Sequence, residues 1–456
     1  MSRKVSLVDR PRGAAPAMPL RTLALAIGLT LGLAGMSQAQ SLKELYDAAR
    51  EHDPVYRSAR ALAESAPFRA AQAEALLRPS VSGRADLTNS RFETGTGVRR
   101  DGTSAGMSVS ARQPLFNRGD RATVGQAQRQ LDVSRYDLEI AEQDLILRVS
   151  QAYFDYLAAR DAVTTTGASK AAINEQLASA KRNFEVGTAT ITDTREAQAR
   201  YDLAVAQEIL ALNDVRQKRV TLEQLVGRAE VEPKGLATPV VLPPLEPGSM
   251  NDWIGRADQE HPAIRRAQLA LDVARLETEK AEAGHLPSVD AVASISGNRQ
   301  TGSIVSASSS AGNNHSMSMG VQMSVPIFSG YSVTNRVKET QVLQSKARRD
   351  VEAARRTAIQ ATQQAYLAVQ SGLAQVKALE AAESSTQLAL DATQLGYKVG
   401  VRVNLDVLNA QTQLYTTRRD LARARYDVLL AGLRLRQASG YVEPADLASV
   451  SRLLAP

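Results

Sequence analysis

The sequence predicts a mainly α-helical chain with membrane β-structure, each protomer an internal duplication. Three observations carry that expectation. A set of short motifs occurs twice in the same order at a spacing of roughly 210 residues, too long for a solenoid repeat and suited to a duplicated domain half. Four short segments alternate apolar and polar residues with a period of two. Two Pro-free stretches of about 70 residues carry small or apolar residues at heptad spacing.

The duplicated motifs line up one by one. Arg78-Pro79-Ser80-Val81 is answered by Leu286-Pro287-Ser288-Val289, and Gln113-Pro114-Leu115-Phe116 by Val325-Pro326-Ile327-Phe328. Ala152-Tyr153-Phe154 is answered by Ala365-Tyr366-Leu367, and Phe184-Glu185-Val186-Gly187-Thr188 by Tyr397-Lys398-Val399-Gly400-Val401. Asp193 then matches Asp406, and Ala197-Gln198 matches Ala410-Gln411. The division that follows is a signal peptide over 1–39, a first repeat over 40–232, a Pro-rich linker over 233–250, a second repeat over 251–440 and a tail over 441–456.

Residues 1–39 read as a secretory leader. Arg3, Lys4, Arg10, Arg12 and Arg21 give a basic start, Leu23 to Leu33 an apolar core, and Ser37-Gln38-Ala39 small residues before a cut. Met18 offers a second start that leaves a shorter basic part. A single anchoring helix is the other reading, but the apolar run is short for one. The leader also accounts for the charge: the chain has 55 Lys+Arg against 48 Asp+Glu, and without five basic leader residues and Asp9 the count is 50 against 47. No basic stripe interleaved with aromatics remains, which argues against nucleic acid. With no cysteine there is no disulfide, no thiolate metal site and no acylated N-terminal cysteine.

The alternating segments come next. Val81, Gly83, Ala85 and Leu87 share one face, as do Ala105, Met107, Val109 and Ala111. Val289, Ala291, Ala293 and Ile295 form a third such face, and Met317, Met319, Val321, Met323, Val325 and Ile327 a fourth. Successive strand side chains point to opposite sides, so each segment has an apolar and a polar wall. Two hairpins are expected, at about 80–113 and 288–327, joined by long polar loops Asn89–Thr103 and Arg299–His315. A soluble β-sandwich fits any single segment; four in two equivalent hairpins favour a membrane barrel. Four strands cannot close a barrel, and open edges are not tolerated in lipid. Two copies give eight strands with a filled bore, three give twelve.

Long helices are expected over about 118–185 and 330–398, each roughly 100 Å at 1.5 Å per residue. Their seams (Ala127, Leu131, Ser134, Leu138, Ala141, Leu145; Ala347, Val351, Ala354, Ala358, Ala361, Ala365, Ala368, Gly372) are small-residue seams. These allow close approach but bury little area, which suits the wall of a wide tube. Shorter helices over Pro54–Leu77 and about 190–227, and over Pro262–His285 and about 402–439, match each long helix in combined length. Pro233, Pro239, Pro243, Pro244 and Pro247 break the chain between the halves and leave a linker expected to lie against the tube. A soluble periplasmic coiled-coil adaptor or scaffold accounts for the helices but leaves the strands idle.

At this point the chain resembles the TolC family of outer-membrane efflux and type I secretion channels, over nearly all of its mature length. The resemblance rests on the duplicated hairpin-plus-helices plan, Gly284-His285-Leu286-Pro287, Val325-Pro326-Ile327-Phe328 and Gly396-Tyr397-Lys398-Val399-Gly400. It implies a homotrimer: a twelve-stranded outer-membrane β-barrel continuous with a twelve-helix periplasmic α-barrel. It also implies a periplasmic tip, at the Gly187 and Gly400 turns, that an inner-membrane ABC or RND-type transporter and its periplasmic adaptor open. Asp193, Tyr397 and Arg402 match the family's closing links, although Asp193 is equally a first-turn carboxylate favoured by the helix dipole. Asp406 matches a carboxylate of the pore constriction. The family's second carboxylate is here Asn409, which implies a weaker acidic ring.

No catalytic constellation competes with this reading. His52, His261, His285 and His315 lack helical pairing or metal-ligand spacing, and Gly95 and Gly97 have no strand-to-helix phosphate context. No cofactor, metal or catalytic residue is expected. The expected role is a passive duct.

Overall fold

Asp53-Pro54 and His261-Pro262 show how closely local chemistry sets the helices. The computed structural model describes residues 40–454 except 94, 96, 98, 238 and 303–312; the expected leader lies outside the described residues. Helix α1 (Leu42–His52) opens on a capping box in which the Ser41 hydroxyl accepts from Glu44 N while Glu44 accepts from Ser41 N. It stops at Asp53 because the residue before proline avoids the helical region. Pro54 then starts α2 (Pro54–Glu74) at its first position, where no backbone N–H is required. The Asp53 carboxylate caps that helix by accepting from Tyr56 N.

A 3₁₀ turn, Ala75–Leu77, ends α2, so the last turn expected to be α-helical is wound tighter. Strands β1 (Ser80–Glu93) and β2 (Arg99–Phe116) follow, then α3 (Arg118–Glu185) and α4 (Ile191–Val226). The second half reproduces the order: α5 (Met250–Glu260), α6 (Pro262–Glu282), a 3₁₀ turn Ala283–His285, β3 (Ser288–Gly302), β4 (Asn313–Ser324), α7 (Ser332–Lys398) and α8 (Asn404–Ala438). His261 replaces Asp53 as cap, its Nδ1 accepting from Ala263 N, and burial pushes its pKa below the ordinary imidazole value. A last helix, α9 (Pro444–Ser451), folds the tail back.

The strands are longer than their apolar cores. The segment Asn89–Thr103 is not mainly a loop: Asn89 pairs with Thr103 and the ladder continues to Glu93 and Arg99. Likewise β3 runs on to Gly302 and β4 begins at Asn313, with 303–312 outside the described residues. Polar residues extend these strands beyond the apolar band because backbone pairing does not require apolar side chains. In the other direction β4 stops at Ser324, so Val325 and Ile327, on either side of Pro326, lie beyond the ladder.

The helices pack in two tiers. Beside the sheet, α2 and α6 pack on α3, and α6 also on α7; away from it α4 pairs with α3 and α8 with α7. The main core lies where the tiers meet, with Tyr46, Leu145, Tyr153, Phe154, Leu222 and Leu433 buried among α1, α3, α4 and α8. The Pro-rich linker is irregular and packs against this belt. Val231, just before it, is fully buried, Gln40 bridges to Pro233, and Leu236 bridges to Leu454. Leu447 and Val450 of α9 join the same core. Among the described residues no helix is long and apolar enough to cross a membrane.

Candidate functional site

One end of the molecule is a single antiparallel sheet in the order β1-β2-β3-β4. The hairpins of the two halves are joined by pairing of β2 with β3, from Gly102–Gly302 to Phe116–Val289. The period of two places Val81, Met107, Val109, Ile295 and Met319 on one face. Leu87, Met107 and Met319 on that face are between 70% and 79% exposed. The opposite face carries hydroxyls that pair across strands: Ser82 with Ser110 at 2.9 Å, Ser294 with Ser318 at 2.8 Å and Ser296 with Ser316 at 2.7 Å. Arg112 donates to Asp290 at 2.7 Å on the same side, tying β2 to β3. The outer edges of β1 and β4 have no strand beside them among the described residues. At the helix junction Phe328 and Tyr331 meet edge to face at 5.5 Å, and Arg121 lies over Phe116, aromatic placement suited to an interface.

The opposite end is formed by two turns of the same design. Gly187 and Gly400 both have φ +79°, the left-handed region that favours glycine. The N–H of Thr188 reaches back to the Asn183 carbonyl at 2.8 Å, and that of Val401 to the Gly396 carbonyl at 2.9 Å. Nothing lies within 4 Å of a Cβ built on either glycine, so backbone conformation alone demands glycine here.

Around these turns each expected site residue has a definite partner. The Asp193 carboxylate accepts from Thr190 N at 2.9 Å and Thr190 Oγ1 at 2.7 Å, forming the capping box of α4. Tyr397 accepts from Asn183 Nδ2 at 3.1 Å. Arg402 lies 3.6 Å from Asp406, one turn along the start of α8. Asn409 accepts from Arg200 of α4 at 2.9 Å. Within one protomer, therefore, Arg402 and Asp406 are brought together, while Asp193, Tyr397 and Asn409 each bond elsewhere.

Sequence reasoning did not find the residue at the centre of this region. Asn404, 2% exposed, donates through Nδ2 to the Asp193 carbonyl at 3.5 Å and accepts from Gln176 Nε2. It thus joins α8 to both α3 and α4. Asn404 is the first residue of α8, whose cap position is Val403. Asn183, Gln176 and Arg200 were equally hidden, since single polar residues on long helices give no local signal.

Comparison with known proteins decides the family. A family model described as "Outer membrane efflux protein" matches residues 45–228 and 253–441. The chain belongs to the outer membrane efflux protein family. The outer membrane protein TolC of Escherichia coli is 30% identical over 444 residues, covering 95% of this chain and 89% of that protein. The alkaline protease secretion protein AprF of Pseudomonas aeruginosa is 33% identical over 428 residues, covering 91% and 87%. The fold is shared with the outer membrane protein VceC of Vibrio cholerae at a TM-score of 0.74, with 19% identity and coverage of 88% and 96%. It is also shared with the open state of the Neisseria gonorrhoeae MtrE channel at 0.71, with 22% identity and coverage of 88% and 89%. As a member of this family the chain is an outer-membrane protein that reaches into the periplasm.

Proposed function

We propose that three copies of this chain assemble the exit duct of an efflux or type I secretion system. The observation that carries the reading is the sheet: four strands, apolar and exposed on one face, hydroxyl-lined on the other, open at both edges, at the end of helices about 100 Å long. Lipid accepts the apolar face but not the unpaired backbone of the edges, so sister sheets must meet edge to edge. Three sheets give twelve strands and a water-filled bore, whereas two give a barrel filled by its own side chains. The small-residue seam of α7 supports the same assembly, since Ala361 and Ala368 are exposed in the protomer and available to line or pack a twelve-helix tunnel. The duct is passive. Transport is powered by an inner-membrane ABC or RND-type transporter.

At the tip, Phe184, Val186, Leu395, Val399 and Val401 are exposed around the two turns. Apolar knobs of this kind suit docking of a periplasmic adaptor. Asp193, Tyr397 and Arg402 stand close enough to the tip to make closing links between or within copies, and Asp406 supplies the charge of the constriction. A soluble coiled-coil scaffold leaves the exposed apolar sheet face without a role. Membrane fractionation and gel migration test the reading: the protein should partition with the outer membrane and run as a heat-sensitive oligomer that conducts ions in a bilayer. A monomer extracted by salt alone would overturn it.

A further inference from the structure

The apolar face of the sheet is not smooth. Met107, Gly297 and His315 lie in one row across β2, β3 and β4; Val109, Ile295 and Met317 form the row below, and Ala105, Arg299 and Asn313 the row above. Glycine in the middle row and alanine beside it leave a hollow of about 440 Å³ bordered by Met107, Ile295, His315 and Arg299. A side chain at position 297 would begin to fill it, its Cβ lying 3.3 Å from His315 Nδ1. The walls are apolar towards the helices and cationic at the far end. There, Arg91 and Arg99 are already taken up by Asp101 and Glu93, whereas Arg299 makes no ion pair with a described residue.

The depth of this row is set by the ladder. From Val289, near the helix junction, to Arg299 is ten residues, about 33 Å along the strand. With the strand tilt of a membrane barrel, roughly 40°, this is about 25 Å along the membrane normal, the height of the apolar band. Arg299 therefore stands at the headgroup level of the leaflet remote from the helices, the outer leaflet, with the hollow just beneath it among acyl chains.

We propose that the Gly297 hollow, capped by Arg299 and His315, is a binding site for a phosphorylated, multiply acylated glycolipid of the outer leaflet. One acyl chain lies in the hollow against Met107 and Ile295, and a phosphate accepts hydrogen bonds from the Arg299 guanidinium and the His315 ring. Leaflet position and charge complementarity select this lipid class: a neutral lipid leaves Arg299 without an anion, and the phospholipid-bearing leaflet lies at the helix end. The site rests on the barrel reading.

The test adds lipid probes to the detergent-solubilised oligomer and counts bound lipid by native mass spectrometry. Wild type should bind diphosphorylated lipid A about tenfold more tightly than dephosphorylated lipid A or phosphatidylglycerol. Arg299→Gln should lose about that factor, and Gly297→Leu should lose it by filling the hollow, while Arg91→Gln keeps wild-type binding. Arg299 is an exposed side chain, so its variant reports on the site even where Gly297→Leu fails to fold. Equal lipid A binding by wild type and Arg299→Gln, or equal binding of phosphatidylglycerol, overturns the site and leaves the barrel standing. A wild-type chain that forms no oligomer overturns both.

Discussion

Asp53 closes one helix, opens the next and holds a third. Its carboxylate, almost fully buried, takes two parallel hydrogen bonds from Arg148 at 3.0 and 2.8 Å besides its cap bond to Tyr56. The hydrogen-bonded Arg148 guanidinium holds its pKa below the ordinary carboxylate value. A lowered folded-state pKa means that the contribution is complete above the unfolded value, about 4, and is lost as pH falls through the folded value. Asp53→Ala should cost about 3 kcal/mol, the low end for breaking a buried pair, because Arg148 keeps partial solvent access and Asp144. Thermal unfolding followed by circular dichroism at pH 7 checks this, and wild-type behaviour of the variant would refute it. Asp406 illustrates a second residue-scale effect. With Asn409 one turn on and Arg402 at 3.6 Å, the ring that Asp406 would form in the proposed trimer carries diluted negative charge. Block by multivalent cations should be mild, and weaker still in Asp406→Ala; equal block of both in bilayer recordings would remove Asp406 as the cation site.

Between elements, what matters is how the α3/α4 pair is held to the α7/α8 pair near the tip. Asn404 bonds to both members of the first pair, Arg200 reaches Asn409, and Asn183 reaches Tyr397. Each contact crosses between halves of the duplication. Apolar packing here is thin: Leu408 is the contribution of α8 to the small cluster around Ile173, Leu177 and Ala197. Polar contacts therefore carry much of the coupling between the coils. Asn404→Ala leaves Gln176 and the Asp193 carbonyl, both partly buried, without this partner, a loss of about 1–2 kcal/mol. The expected outcome is a tip that opens more readily, read as a larger single-channel conductance. Unchanged conductance would show that the coils are held by packing alone.

For the whole molecule the decisive asymmetry is between the two faces of the sheet. Met319 lies on the apolar face of the sheet and Ser318 on the hydroxyl-lined face, one residue away. In a barrel, Met319→Arg should destabilise insertion by about 2–4 kcal/mol, while Ser318→Arg is tolerated and changes ion selectivity. The yield of heat-sensitive oligomer in the outer membrane, together with reversal potentials, reads both effects. In a soluble sheet the two arginines would be tolerated alike.

Much of this architecture is written locally. Proline-free heptads specify helices of tunnel length, Val-Gly turns stop them, proline starts α2 and α6, and a period of two separates the walls of each strand. These are properties of a few neighbouring residues, which is why they can be read without coordinates. The duplication is also legible, because motif order survives in the chain itself. Tertiary structure alone decided that β2 lies beside β3, that polar segments such as Asn89–Glu93 continue the ladder, and that the tail returns through Leu454 to pair with Leu236. It also decided that Asn404 sits buried between coils and that Gly297 opens a hollow beneath Arg299. In each case the partners are far apart in sequence, as with Arg112 and Asp290, and their meeting depends on how whole elements dock rather than on any local preference.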